Sequence, residues 1–254
     1  MKKICYTAIL FLLFQCSKTE IDNSLSTSLG QIELVKTFGG SKNDVFQSVV
    51  KTADGGYATL GYTQSNDFDI TDKTDENFDF LLMKFSADDI LLWTKTFGGS
   101  DDDRGADIIT TNDGGFALFG FAKSSDLDVT ENAGAQDLWI IKTTLNGTIS
   151  WQKTFGYSGA DSGTTLLQTR DNGFLITGVL DVTASNGQGN SKTAHKHAGG
   201  DVWAIKLNNS GDLEWSKYFG GSFTDTPFGV VETADNSYLI LILQTIKARM
   251  IFGF

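Results

Sequence analysis

The chain is 254 residues long, 40% hydrophobic and 20% charged, which is the make-up of a polypeptide with a substantial core and not of a disordered one. Its formal net charge of −11 argues against nucleic acid as a partner, because a phosphate backbone is bound by a cationic surface. Twenty-eight glycines against the single proline Pro227 point to short strands joined by tight turns, since glycine reaches positive φ without steric cost.

At the N-terminus, Lys2 and Lys3 precede the apolar run Tyr6–Phe14, which is too short for a bilayer that needs roughly 20 residues and reads as a secretory signal. The run ends at Leu13-Phe14-Gln15-Cys16 and passes directly into a polar stretch. This junction resembles the bacterial lipoprotein signal, although Gln15 departs from the small residue usual before the modified cysteine. The resemblance implies a signal peptide over 1–15, lipidation of Cys16 and a flexible tether over 16–30. Cys5 then leaves with the signal, so the folded part carries no free thiol and no disulfide framework. Loss of Lys2 and Lys3 takes the formal charge from −11 to −13.

From residue 31 onward the chain is a tandem repeat. Lys36-Thr37-Phe38-Gly39-Gly40-Ser41 returns at 95–100, as Lys153-Thr154-Phe155-Gly156-Tyr157-Ser158 and as Lys217-Tyr218-Phe219-Gly220-Gly221-Ser222. Asp54-Gly55-Gly56 returns as Asp113-Gly114-Gly115, Asp171-Asn172-Gly173 and Asp235-Asn236-Ser237 with the same spacings of 59, 58 and 64. Asp137-Leu138-Trp139 and Asp201-Val202-Trp203 form a third marker, matched by Asp79-Phe80-Leu81.

Taken in chain order, residues 31–38 match the last strand of a unit, with Leu34 where Trp93, Trp151 and Trp215 stand in the other copies. Period-two alternation and turn residues then predict strand A over 46–52, strand B over 57–63, strand C over 79–85 and strand D over 90–97. Asn146-Gly147 in the next unit favours a type I′ hairpin between C and D. The units span 44–97, 101–155, 161–219 and an incomplete 225–254, and the repeat domain as a whole spans 31–254. A four-stranded antiparallel meander exposes two faces, and stacking copies around an axis buries them, so the expected fold is all-β and β-propeller-like. A β-solenoid would use shorter repeats and parallel strands. An N-terminal D strand implies ring closure by completing the last blade. The fourth copy follows the pattern to Leu241 but loses every marker from Leu243 to Phe254. That tail reads either as the end of a truncated or frame-shifted propeller, or as a degenerate C strand in a four-bladed ring.

The markers resemble those of β-propeller repeat lipoproteins abundant in Bacteroidetes, over residues 31 to about 241. The resemblance implies a cell-envelope protein, lipid-anchored at the outer membrane of a Gram-negative bacterium. It carries little about activity.

In a propeller the D–A and B–C connections share one end of the sheets, which here gathers eighteen acids against six bases. Asp101, Asp102, Asp103 and Asp181 are candidates for an interaction face, and Asp67, Asp69, Asp72, Asp126 and Asp128 offer hard oxygens of the kind calcium prefers. The alternative is that short acids cap turns, as in any turn-rich chain. No EF-hand pattern is present, and no other cofactor is expected. Asp79, Asp137 and Asp201 stand five residues before Lys84, Lys142 and Lys206, an odd spacing that puts each pair on opposite faces of a strand and argues for architecture over acid–base chemistry. His195-Lys196-His197 lacks a third metal ligand and reads as loop. The recurrent tryptophans and phenylalanines read as packing between units more than as a sugar platform. The expectation is a non-catalytic binding or scaffold protein acting through its acidic face. The rivals are a surface glycan-binding module and a polysaccharide hydrolase or lyase.

Overall fold

The computed structural model describes residues 35–182, 200–221, 223–244 and 248–252. The lipidation residue Cys16, the tether over 16–30, residues 31–34 of the first predicted strand, and His195 and His197 lie outside them. Residues 35–38 carry no β-ladder. The unit Phe38–Phe254 contains fifteen strands and, among its described residues, no helix.

Its first sheet holds β1 (Asp44–Lys51), β2 (Tyr57–Thr63), β3 (Asp79–Phe85) and β4 (Leu91–Phe97). The second holds β5 (Asp103–Thr110), β6 (Phe116–Ala122), β7 (Asp137–Thr143) and β8 (Ile149–Phe155). The third holds β9 (Ser162–Gln168), β10 (Phe174–Asp181), β11 (Gly200–Leu207) and β12 (Leu213–Phe219). In each, neighbours in sequence are antiparallel neighbours in space, the meander that the alternation predicts. The fourth holds β13 (Asp225–Glu232), β14 (Tyr238–Gln244) and β15 (Ala248–Phe252). Here β15 pairs with β14 from Leu239↔Phe252 to Leu243↔Ala248, in the place of a C strand although no C-strand marker precedes it. The array is therefore all-β and propeller-like.

The Asp-Gly-Gly marker is turn chemistry. Gly55, Gly114, Asn172 and Asn236 occupy one repeat position, all with left-handed φ between +63° and +87°, where glycine and asparagine are tolerated best. The aspartate just before accepts from the hydroxyl of Thr52, Thr111, Thr169 or Thr233 at 2.5–2.6 Å and closes the turn. Lys84, Lys142 and Lys206 reach the same aspartates from strand C of their own sheets, each at 2.9 Å. Each buried ammonium also donates to a backbone carbonyl, of Phe85, Thr143 and Leu207. The lysine at the end of strand C thus ties the A–B turn and leaves the aspartate at the strand's other end to separate contacts.

Both faces of the inner strands are apolar, and the two faces go to different neighbours. Ala58 and Leu60 of β2 and Phe80 and Leu82 of β3 meet Phe116, Leu118, Trp139 and Ile141 of the second sheet. The opposite face of that sheet, Ala117, Phe119, Leu138 and Ile140, meets Phe174, Ile176, Trp203 and Ile205 of the third. Leu175, Val202 and Ala204 then meet Tyr238, Ile240 and Ile242 of the fourth. A one-residue register slip would exchange these faces, so the shared alternation fixes the register of every sheet.

Phe119 is fully buried in the core between the second and third sheets. Phe119→Ala is expected to cost about 3–5 kcal/mol by leaving a cavity. Leu127→Ala, at a residue 78% exposed, is expected to stay within about 0.5 kcal/mol. Urea unfolding of both variants checks the pair, and equal midpoints would contradict the packing described.

Candidate functional site

The end of the sheets that carries the D–A and B–C connections is built on carboxylates accepting backbone N–H groups. Asp44, Asp103 and Asp225 open their A strands and Asp161 immediately precedes β9, and each accepts from the residue four positions earlier, Gly40, Gly99, Gly221 and Tyr157 respectively, at 2.6–2.9 Å. The B–C loops add a second set. Asp67 and Asp126 accept from the N–H of Ser41 and Ser100 at 2.8 Å, and Asp69 and Asp128 from Gly39 and Gly98 at 3.0 and 3.3 Å. Asp72 accepts from the N–H and hydroxyl of Thr96. Hydrogen bonds from Ser41 and Ser100 hold Asp67 and Asp126 below the usual carboxylate range. Of the five aspartates proposed from sequence as calcium ligands, four thus pin the Phe-Gly-Gly-Ser connections and Asp72 holds Thr96 of β4. Among the described residues no three acids, histidines or cysteines group as a metal site.

The candidates for an interaction face separate. Asp101 is exposed, Asp102 pairs with Arg104 at 3.3 Å, and Asp181 accepts from the Ala160 N–H at 3.4 Å. Asp103, grouped with them in sequence, does not face solvent. It opens β5 fully buried and accepts from the N–H groups of Gly99, Lys123 and Ser124.

A second set of buried acids opens the C strands. Asp79 and Asp137 each turn Oδ1 toward a glycine of the connection that follows their own sheet, where an added Cβ at Gly98 or Gly156 would stand 2.3 or 2.1 Å from it. Neither oxygen has a hydrogen-bond partner among the described residues. The glycine of the marker is required by this contact, since no side chain fits there. Burial pushes Asp79 up to about 7 despite the 2.8 Å bond from Lys73, with Asp75 and Asp103 adding to the rise. Burial likewise raises Asp137, and raises Asp161 to about 6 against two backbone N–H bonds. At the opposite end, burial raises Asp113 and Asp171, but hydrogen bonds from Thr111 and Lys142, and from Thr169 and Lys206, outweigh it and hold both at about 2.

The two sets act oppositely on stability. Asp79 and Asp161 bind protons more tightly when folded, so what they contribute is present below the ordinary carboxylate value near 4 and is lost as pH rises through about 6 to 7. Asp113 and Asp171 contribute above that value and lose it as pH falls through about 2. The melting temperature is therefore expected to peak at about pH 4–5 and to decline on both sides. A melting series from pH 2 to 8 checks this, and a continuous rise from pH 4 to 8 would contradict it.

On the same end lies a cleft of about 460 Å³ between the second and third sheets, lined by Glu131, Asn132, Ala133, Asp137, Thr154, Phe155, Gly156, Tyr157, Trp203, Leu213 and Ser216. The B–C loop of the second sheet supplies the first three and strand β8 with its connection supplies 154–157. Two of the positions in and beside it break the repeat, and a third differs in every copy. Tyr157 stands where the other copies have Gly40, Gly99 and Gly221, and Tyr218 where they have Thr37, Thr96 and Thr154. Ser216 stands at the variable position, occupied by Val35, Thr94 and Gln152 in the other copies.

These exceptions change the local structure. Tyr157 and Tyr218 stack on Trp203 with centroids at 5.6 and 5.5 Å, and their hydroxyls meet at 3.0 Å. In the second sheet Trp139 Nε1–H donates to Gln152 Oε1 at 2.8 Å, across the diagonal of the β7–β8 pair. The serine at 216 is too short for that role, and among the described residues Trp203 Nε1, on a residue 95% buried, is left with no acceptor. The first sheet has no such donor, because Leu81 replaces the tryptophan there. The cleft was not among the sites read from the sequence, which followed what the copies share. The signal lay in what the third copy does not share.

No family model matches the chain, and no curated protein matches it. Among solved structures it is similar to a protein of unknown function from Bacteroides caccae, at 12% identity and TM-score 0.44, covering 81% of this chain and 59% of that one. It is also similar to a mannose phosphorylase from Leishmania mexicana in complex with phosphate ion, at 10% identity and TM-score 0.42, covering 81% and 65%. A hypothetical protein from Leishmania major follows at 9% identity and TM-score 0.43, with the same coverage. The chain thus spans between 59% and 65% of the length of these three proteins.

Proposed function

We propose that this protein is a non-catalytic binding module of the bacterial cell envelope, tethered through a lipid on Cys16 and taking its ligand in the cleft between the second and third sheets. One observation carries the reading: Tyr157 and Tyr218, which stand where every other copy has glycine or threonine, converge on Trp203 at the wall of that cleft, and their side chains perform no task seen in the other copies. Repeated residues are explained by packing between sheets, while residues that differ at one interface alone call for a local reason. The binding reading is favoured over hydrolysis because Asp137, the buried carboxylate of the cleft, sits at a position repeated as Asp79 and Asp201 and carries the same glycine contact at each. A carboxylate required by every sheet is not specific to one reaction centre. The neighbouring acids Asp101 and Asp102 lie on the same end and would extend the contact surface toward a larger partner.

The protein has five tryptophans, hence five indole N–H signals in an amide correlation spectrum. Titrating the full chain with saccharides and peptides is expected to move the Trp203 signal and leave that of Trp93 in place, with Trp203→Phe providing the assignment. Binding that shifts only residues around Asp101 and Asp102 would relocate the site to the acidic connections and overturn the cleft.

A further inference from the structure

We infer that the cleft recognises an uncharged, hydroxyl-bearing ring, the chemistry of a neutral sugar residue, with Trp203 Nε1–H as the donor that orients it. The inference rests on the binding reading above and names its ligand class.

An indole N–H can only donate, and leaving one buried without an acceptor costs about 1–3 kcal/mol. The Trp203 nitrogen is in that state, on a ring that walls the cleft beside Ser216. Its counterpart Trp139 shows what an occupant must supply, because Gln152 satisfies that indole with an oxygen acceptor from the same strand position. A ligand here must therefore bring an acceptor oxygen. The remaining polar groups ask for the opposite. Glu131 is an exposed carboxylate on the rim, so the ligand is required to donate as well. A hydroxyl does both, whereas an ammonium group donates without accepting and a carboxylate accepts without donating. That carboxylate also repels an anionic ligand. Phe155 and Tyr157 are half-buried and Leu213 is 56% exposed, which leaves apolar and aromatic surface for the C–H faces of a ring. The Asp137 oxygen is turned onto Gly156 and is repeated at Asp79, whereas the Trp203 donor has no such repeat among the described residues.

Isothermal titration of the full chain with neutral mono- and disaccharides, uronic acids and short peptides tests this, read together with the Trp203 indole signal. A neutral saccharide is expected to bind and to shift that signal. Trp203→Phe keeps the aromatic wall and removes the donor, and is expected to weaken binding about tenfold. Ser216→Gln rebuilds the arrangement of the second sheet, and is expected to abolish binding without lowering the melting temperature. Unchanged affinity in Trp203→Phe would overturn the role of the donor. Uronic acids binding as well as neutral sugars would overturn the uncharged class. A peptide that shifts Trp203 while no saccharide does would overturn the sugar and leave the cleft as a binding site. No shift of Trp203 with any of them would remove both readings.

Discussion

A β-meander of this sequence is apolar on both faces, and water is excluded from both only if each sheet is covered twice. That constraint governs most of what is seen. Leu118 and Phe119 of the second sheet point to opposite neighbours, and the strict alternation along strands B and C serves two interfaces at once. The connections between sheets must then be short and accurately placed, because a displaced strand A would misalign the next interface. The carboxylates at the ends of the strands meet this need. Asp103 draws the Gly99 N–H to itself, Asp126 holds Ser100, and one connection is thereby fixed from two directions.

This explains how a chain with many aspartates stays ordered at the end where they collect. Much of the formal charge is engaged with backbone N–H groups or suppressed by burial, as at Asp79 and Asp161. The lysines face the other way. Lys84, Lys142 and Lys206 bury their stems in the sheets and present their ammonium groups to the A–B turns. The marker residues of the repeat are accordingly a wiring pattern for the backbone, and their recurrence in successive copies tells of assembly more than of chemistry.

The fold was legible in the sequence because its markers are turn and strand-end residues with local physical causes. Gly55 and Asn172 share a left-handed position, and the strands expected at 57–63 and 79–85 are β2 and β3 with the same bounds. The third strand of the fourth sheet was harder to place, since Ala248–Phe252 pairs by backbone ladder and carries none of the marker residues. The partners of Asp67 and Asp69 were out of reach for a different reason. Each accepts an N–H from 26 or 30 residues earlier, and a cluster of acids in sequence does not show which donors the fold brings to it. The cleft was missed because its residues are exceptions, and a pattern search discards exceptions as noise.

The Tyr157–Trp203–Tyr218 stack has a spectroscopic consequence. Three aromatic chromophores held at fixed offsets in an asymmetric surrounding couple their transitions and give a near-ultraviolet circular dichroism band that vanishes when the packing loosens. Because Tyr157 comes from the connection after β8 and the other two from the third sheet, that band measures how firmly neighbouring sheets are seated. The protein carries its own optical gauge of the interface at which its repeat is broken.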